Sequence, residues 1–217
     1  MAEAPDEPPA WLRALPDLAR ADPAYLHGVP APPPAARAAA VLILVAGGGD
    51  CADLLLTERS AGLAAHAGQV SFPGGAVDPG DAGPADAALR EATEELGLDR
   101  AAVDVIGELP ALYIAVSGFA VTPVVAWWRR PVPLDALHRA EVASAVRAPF
   151  AALADPANRL EVIYPSGGRG PAFDVGPLLV WGFTGRLIDR LLDLGGWARP
   201  WEPARVVSMP PRELPLP

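Results

Sequence analysis

A chain of 217 residues, 51% hydrophobic and 20% charged, has the material for one well-filled core and too little for two ordinary domains. Its net charge of −9 argues against a nucleic-acid partner, which needs a basic face, and a single cysteine, Cys51, excludes an internal disulfide. A small phosphate ligand stays open, because a bound divalent cation inverts the local charge. All 17 cations are arginine, which together with abundant Ala, Pro and Gly reads as compositional bias. The first residues, MAEAPDEPPA, are acidic and proline-rich, unlike a signal peptide, and no apolar run approaches the ~20 residues of a membrane span. A soluble cytoplasmic protein with no membrane partner is expected.

Residues 1–36 form a Pro/Ala-rich segment in which Trp11, Leu12, Leu15 and Leu18 are spaced for a short helix and Pro30–Pro34 for an extended linker. Ala40–Ala46 is a continuous apolar run, as in a strand buried on both faces. Gly47–Asp50 is a turn signal, and Leu54–Arg59 reads as the returning strand of a hairpin. Gln69–Phe72 is a short strand ending at Pro73-Gly74-Gly75. A helix fits Pro84–Leu96, with proline at its first turn and Gly97 at its end. Val103–Leu109 and Phe119–Trp128 are strands, and Pro123 predicts a bulge or an edge in the second. Arg159–Tyr164 and Pro177–Trp181 are further strands, followed by a closing amphipathic helix over Gly182–Leu194. A proline-rich tail over 198–217 is expected to wrap the surface or fray. These elements predict an α/β fold, a mixed sheet with helices on its faces, in one domain over 37–197.

The helix over Pro84–Leu96 carries the strongest chemical signal. At about 100° per residue, Ala85, Ala88, Leu89, Ala92 and Leu96 share one stripe suited to packing on a sheet. Glu91, Glu94 and Glu95 occupy an arc beside it, at spacings that make them neighbours. Like charges so placed repel, and they lie toward the helix C-terminus, where the dipole disfavours anions. A hard divalent cation would compensate, because it prefers carboxylate oxygens and partners phosphate. Arg90 is placed to orient one carboxylate. An acidic face in contact with water is the plainer alternative.

The stretch from Gly75 to Leu98 resembles the Nudix box, G-x5-E-x7-R-E-U-x-E-E-x-G-U, where U is a large aliphatic residue. Gly75 fills the first glycine, and Arg90, Glu91, Glu94, Glu95, Gly97 and Leu98 fill the later positions in register. Asp81 stands where the box has its first glutamate, one extra residue separates it from Arg90, and Ala92 is smaller than usual. The resemblance implies a Nudix α/β/α sandwich and attack of water on a phosphorus of a nucleoside diphosphate linked to another moiety. It implies Mg²⁺ or Mn²⁺ held by Glu91, Glu94, Glu95 and the Gly75 carbonyl, with Arg90, Glu94 and Glu95 in catalysis.

Upstream, Leu55–Gly75 (LLTERSAGLAAHAGQVSFPGG) is similar to the signature before the box in coenzyme A pyrophosphatase-like Nudix proteins, roughly LLTxR-[SA]-x3-R-x3-G-x3-FPGG. Ala64 stands where that signature has its second arginine. The implied substrate is coenzyme A or an acyl derivative. ADP-ribose, a dinucleotide, or a nucleotide-binding regulator without catalysis are the competing readings, and a homodimer is left open. Arg59, Gly74 and Gly75 are the candidates for substrate binding, with Arg59 the candidate contact to the 3′-phosphate of coenzyme A, and Arg59 alternatively pairs with Glu58 or Asp53. Glu141 is a candidate general base or additional ligand, with a solvated strand start as the alternative. His66 reads as a loop or capping residue, and Ser166–Gly170 as a flexible turn. Tyr113, Phe119 and Tyr164 are candidates to stack on adenine, though core positions suit them as well. Trp181 and Phe183 are expected in the core.

Overall fold

In order, the chain forms α1 (Ala10–Ala21), β1 (Arg37–Ala46), β2 (Asp53–Arg59), β3 (Val70–Ser71), β4 (Gly74–Ala76), α2 (Pro84–Leu96), β5 (Val103–Glu108), β6 (Leu112–Ile114), β7 (Phe119–Trp128), β8 (Val142–Pro149), α3 (Phe150–Ala154), β9 (Arg159–Ile163), β10 (Arg169–Val175), β11 (Leu178–Val180), α4 (Gly182–Leu194) and β12 (Val206–Ser208). The computed structural model describes residues 7–22, 24–60, 68–134, 138, 140–164, 167–176, 178–202 and 205–208. Ala64, His66, Ser166 and Pro177 lie outside the described residues.

The apolar run of β1 is an inner strand, as its composition predicts. It pairs in parallel with β7 along its whole length, from Arg37↔Phe119 to Ala46↔Trp128. Its alternate side chains enter two cores. Ala40, Leu42, Leu44 and Ala46 meet Ala87, Ala88, Ala92 and Leu96 of α2. Ile43 and Val45 join the opposite layer with Leu12 and Leu15 of α1 and Leu187, Ile188 and Leu191 of α4. Helices on both faces of a mixed sheet make an α/β/α sandwich, the layering that the resemblance implies.

The β1–β2 hairpin is paired only near its tip, at Val45↔Leu54 and Ala46↔Asp53. Its strands then part, and the chain from β3 to β4 fills the opening. β3 pairs with β2 at Thr57↔Ser71, β4 pairs with β1 at Ala40↔Gly75, and Leu42 N–H donates to Pro73 O at 2.8 Å between them. The glycine pair is thereby fixed over the middle of the sheet. β8 covers the other side of β2.

Pro123 departs from expectation. It lies in β7, between β1 and the β5–β6 side, so its strand is not an edge. Proline is tolerated there because β6 ends its pairing at Val121 and β5 begins at Val124. The bulge is on the partner instead, between Val105 and Gly107.

The ends of the chain are more structured than their proline content suggests. Leu12, Leu15 and Ala19 of α1 are buried, while Leu18 turns outward and is 42% exposed. Trp11 packs on Phe150 and Trp197, with ring centroids 4.9 and 5.8 Å apart. A second sheet, β11-β10-β9-β12, takes β12 in parallel on β9, so the tail adds a strand. β10 escapes the sequence reading because Gly170 and Pro171 interrupt its apolar pattern. Among the described residues, no helix is long and apolar enough to cross a membrane.

Candidate active site

α2 spans the predicted residues, with Pro84 at its start and Gly97 closing it in the left-handed conformation at φ 66°. Its three box glutamates face different surroundings. Glu95 is buried at 5% exposure, on the packed side of the helix. Glu91 is largely covered, and Glu94 is exposed. The expected common arc of equivalent acids is therefore divided by packing.

β4 explains why two glycines precede the helix. The Gly74 N–H donates to the Glu95 carboxylate. At Gly75 a Cβ would lie 2.5 Å from the Glu91 carboxylate, so the bare backbone leaves room for that group. Gly74 has φ 151°, and a Cβ there would lie 2.3 Å from Ala40 O. The glycine pair thus forms a cradle for Glu91 and Glu95.

Arg90 organises the rest. Its Nε donates to Asp81 Oδ1 at 2.9 Å and its Nη2 to Asp81 Oδ2 at 3.0 Å, a bidentate fork. Nη1 donates to Glu91 Oε1 at 2.9 Å and to Glu94 Oε2 at 3.3 Å, and Nη2 to Ala76 O at 3.1 Å. Asp81 thus anchors the arginine that steers Glu91. The extra residue before Arg90 is accommodated in the turn, where Asp78 N–H also donates to Asp81 at 2.8 Å.

The electrostatics follow this geometry. The Arg90 fork, then the Asp78 amide, hold the Asp81 carboxyl below its usual range. Arg90 is driven further toward its charged form, first by Asp81. Burial raises Glu91 against the opposing hydrogen bond from Arg90. Burial, then the charge of Glu91, push Glu95 up to about 7, against the Gly74 amide and the positive charge of Arg59. The Glu95 Oε2 atom is buried without a hydrogen-bond partner.

Hard oxygen donors, an unpartnered buried carboxylate oxygen and a side-chain-free backbone at Gly75 suit a divalent cation such as Mg²⁺ or Mn²⁺. Among the described residues, no three His, Cys, Asp or Glu converge as a ready-made cluster. Glu91 and Glu94 are engaged by Arg90, while Glu95 reaches toward β4.

Arg59 and Glu141 are brought beside this centre from β2 and the start of β8, where Arg59 pairs with Val142. Ser60 N–H donates to Glu141 O at 2.8 Å, and the Glu141 carboxylate lies 3.5 Å from His138 Nδ1. The charge of Glu141 reaches both Glu91 and Glu95. His138 N–H meanwhile caps α2 by donating to Glu95 O at 2.9 Å. Asp53, the alternative partner of Arg59, is taken by Arg147 at 2.7 Å, and Glu58 accepts from Ser144 at 2.9 Å. Arg59 Nε is buried with no hydrogen-bond partner.

A cavity of about 620 Å³ opens beside the cradle, with Arg59 and Gly74 in its wall. Tyr113, Phe119 and Tyr164 line it, in keeping with exposed aromatic faces. Trp181 and Phe183, expected in the core, pack against it with one side and face the cavity with the other. Tyr25, Arg186 and Arg190 also line it. Sequence reasoning missed these three, because the amphipathic pattern of α4 assigns its arginines to solvent and Tyr25 falls between the predicted elements.

The NUDIX domain family model matches residues 34–159. The chain is 53% identical over 98 residues to an Uncharacterized Nudix hydrolase NudL of Cronobacter sakazakii, covering 45% of this chain and 50% of that protein. It is 50% identical over 101 residues to the NudL of Escherichia coli K12, again covering 45% and 50%. The chain therefore spans about half the length of these curated relatives. Among solved structures, a Nudix hydrolase from M. Smegmatis, RenU, superposes with a TM-score of 0.53 at 22% identity, covering 74% of this chain and 86% of that one. That likeness concerns the fold.

Proposed function

The chain belongs to the Nudix family, and on that premise we propose that it is a metal-dependent pyrophosphohydrolase that cleaves the diphosphate of coenzyme A or an acyl derivative to 4′-phosphopantetheine and 3′,5′-ADP. One observation carries the reading. Gly74 both holds the buried Glu95 and lines the cavity, so the acidic centre and the place for an organic ligand share a wall.

In this reading Glu91, Glu94 and Glu95, with the Gly75 carbonyl, hold Mg²⁺ or Mn²⁺. The bound ion supplies charge neutralisation of the diphosphate and a lowered pKa of the attacking water. Arg90, anchored by Asp81, keeps Glu91 and Glu94 at their posts. Arg59, whose charge reaches Glu95, forks onto the diphosphate. Glu141 accepts the proton of the attacking water. Glu141→Gln is then expected to lower kcat with little change in KM, and unchanged steady-state kinetics would remove it from the mechanism.

The substrate is tested by assaying the protein with Mg²⁺ or Mn²⁺ against coenzyme A, 3′-dephospho-coenzyme A and ADP-ribose, with products identified by mass. Coenzyme A is expected to exceed the dephospho compound in kcat/KM by roughly tenfold, the lower end of what a charged hydrogen bond supplies. Equal values would sink the 3′-phosphate preference. Faster turnover of ADP-ribose, a reading that Ala64 favours by removing one signature arginine, would make the protein an ADP-ribose or dinucleotide diphosphatase. Binding without hydrolysis of any compound would identify a regulator.

A further inference from the structure

The cavity beside the glycine cradle has a charge opposite to that of the chain around it. The protein carries 26 acidic and 17 basic residues, yet among the described residues the cavity wall includes Arg59, Arg186 and Arg190 and no Asp or Glu. All three arginines are half-buried. Their surroundings are mainly apolar and aromatic, which strengthens any charge interaction made there and makes an unpaired cation costly.

The arginines divide by position. Arg59 is the one whose charge reaches the buried Glu95. Arg186 and Arg190 stand one helical turn apart on α4, at a spacing where like charges repel. Arg190 Nη2 donates to His27 O at 3.3 Å. Arg186 makes no hydrogen bond or ion pair among the described residues; its charge reaches the Tyr164 phenol in the same wall. Both lie beyond the 34–159 span that the family model matches, as do Tyr25 and Tyr164. Tyr25 is itself buried with an unpartnered hydroxyl, beside Arg190. Part of the wall is thus built by the flanking segments, and Arg186 and the Tyr25 hydroxyl in it have no hydrogen-bond acceptor among the described residues.

We propose that Arg186, assisted by Arg190, is a specificity determinant that binds a phosphomonoester on the nucleotide half of the substrate, separate from the diphosphate held near Arg59. The assignment rests on the diphosphatase reading above and locates the group that distinguishes a 3′-phosphorylated nucleotide from ADP-ribose. A guanidinium in a water-poor wall recognises such a group by bidentate, charge-assisted hydrogen bonds. The aromatic faces of Tyr164 and Trp181 beside it suit the attached base. It also offsets the basic contact that Ala64 removes from the upstream signature.

The test is a calorimetric titration of the full chain, without divalent ion, with adenosine 3′,5′-bisphosphate and with 5′-AMP. This readout needs no turnover. Wild-type protein is expected to bind the bisphosphate at least tenfold more tightly. R186Q is expected to bring the two affinities within about twofold, and R186K, which keeps the charge but not the fork, to fall between. R190Q narrows the ratio less than R186Q. Circular dichroism melts of each variant show that the folded protein is being compared. A wild-type ratio near one, or a preference that R186Q leaves in place, would overturn the assignment. If the ratio collapses in R186Q while the wild type hydrolyses none of the diphosphates, the subsite stands and the diphosphatase reading falls. If coenzyme A is hydrolysed and R186Q keeps the full preference, the reverse holds.

Discussion

Glu95→Gln is expected to lower kcat by at least ~100-fold while leaving the fold intact, because it removes a carboxylate that holds metal against the developing charge of the transition state. Its position makes it the most consequential of the box acids. It is buried, its Oε2 has no partner, and Gly74 fixes its other contact. Metal-free stability should reveal the same group. An acid whose folded pKa is about 7, against an ordinary 4.5, favours the protonated folded state. Its stabilising contribution is complete below about pH 4.5 and is lost as the pH rises through about 7. Metal-free wild type should therefore lose up to ~3 kcal/mol between pH 5 and pH 8, and Glu95→Gln should abolish that part of the slope. Divalent ion competes with the proton, so metal affinity should rise over the same interval. Near-normal turnover of the variant would show that Glu95 is a structural acid, and a pH slope identical to wild type would show that its carboxyl is not raised on folding.

Gly74→Ala is expected to destabilise the protein by roughly 3–5 kcal/mol, from the strain of a side chain at a glycine backbone conformation and from overpacking. The new Cβ would lie 2.3 Å from Ala40 O and 2.7 Å from Val41 Cα, both backbone atoms of the inner strand β1. Relief requires β4 to move off β1, which withdraws the amide that positions Glu95 and opens the cavity wall. Activity should fall with stability. Gly80→Ala is the control, since a Cβ there meets nothing within 4 Å, and a change under about 0.5 kcal/mol is expected. Comparable urea midpoints for the two variants would mean that β4 is not held against β1 as described.

Periodicity and punctuation made much of this protein legible in its sequence. The seven-residue apolar run predicts a strand buried on both faces because only an inner strand of a covered sheet can bury every side chain. Proline at the start and glycine after the end delimit α2 to the residue, and the amphipathic pattern over Gly182–Leu194 delimits α4. The box letters carry the resemblance to the family, and glutamates at those spacings, which repel on a helix, independently call for a compensating cation.

Tertiary structure alone decided what each of those letters does. Helical spacing places Glu91, Glu94 and Glu95 together, but the packing of α2 under β4 buries one, covers another and leaves the third in water. Asp81 becomes the anchor of Arg90 because the turn before α2 folds it back onto the helix, a distance that no local pattern encodes. Pro123 sits in an inner strand because its neighbours change partners at that point, and strand order is a property of the sheet. Arg186 and Arg190 read as the solvent face of an amphipathic helix. They line a cavity because the chain around Tyr25 and Gly28, β3, β4 and β6, distant in sequence, close around that face. Local pattern determines which side of an element is apolar, whereas the partner that covers the polar side is chosen by contacts far along the chain.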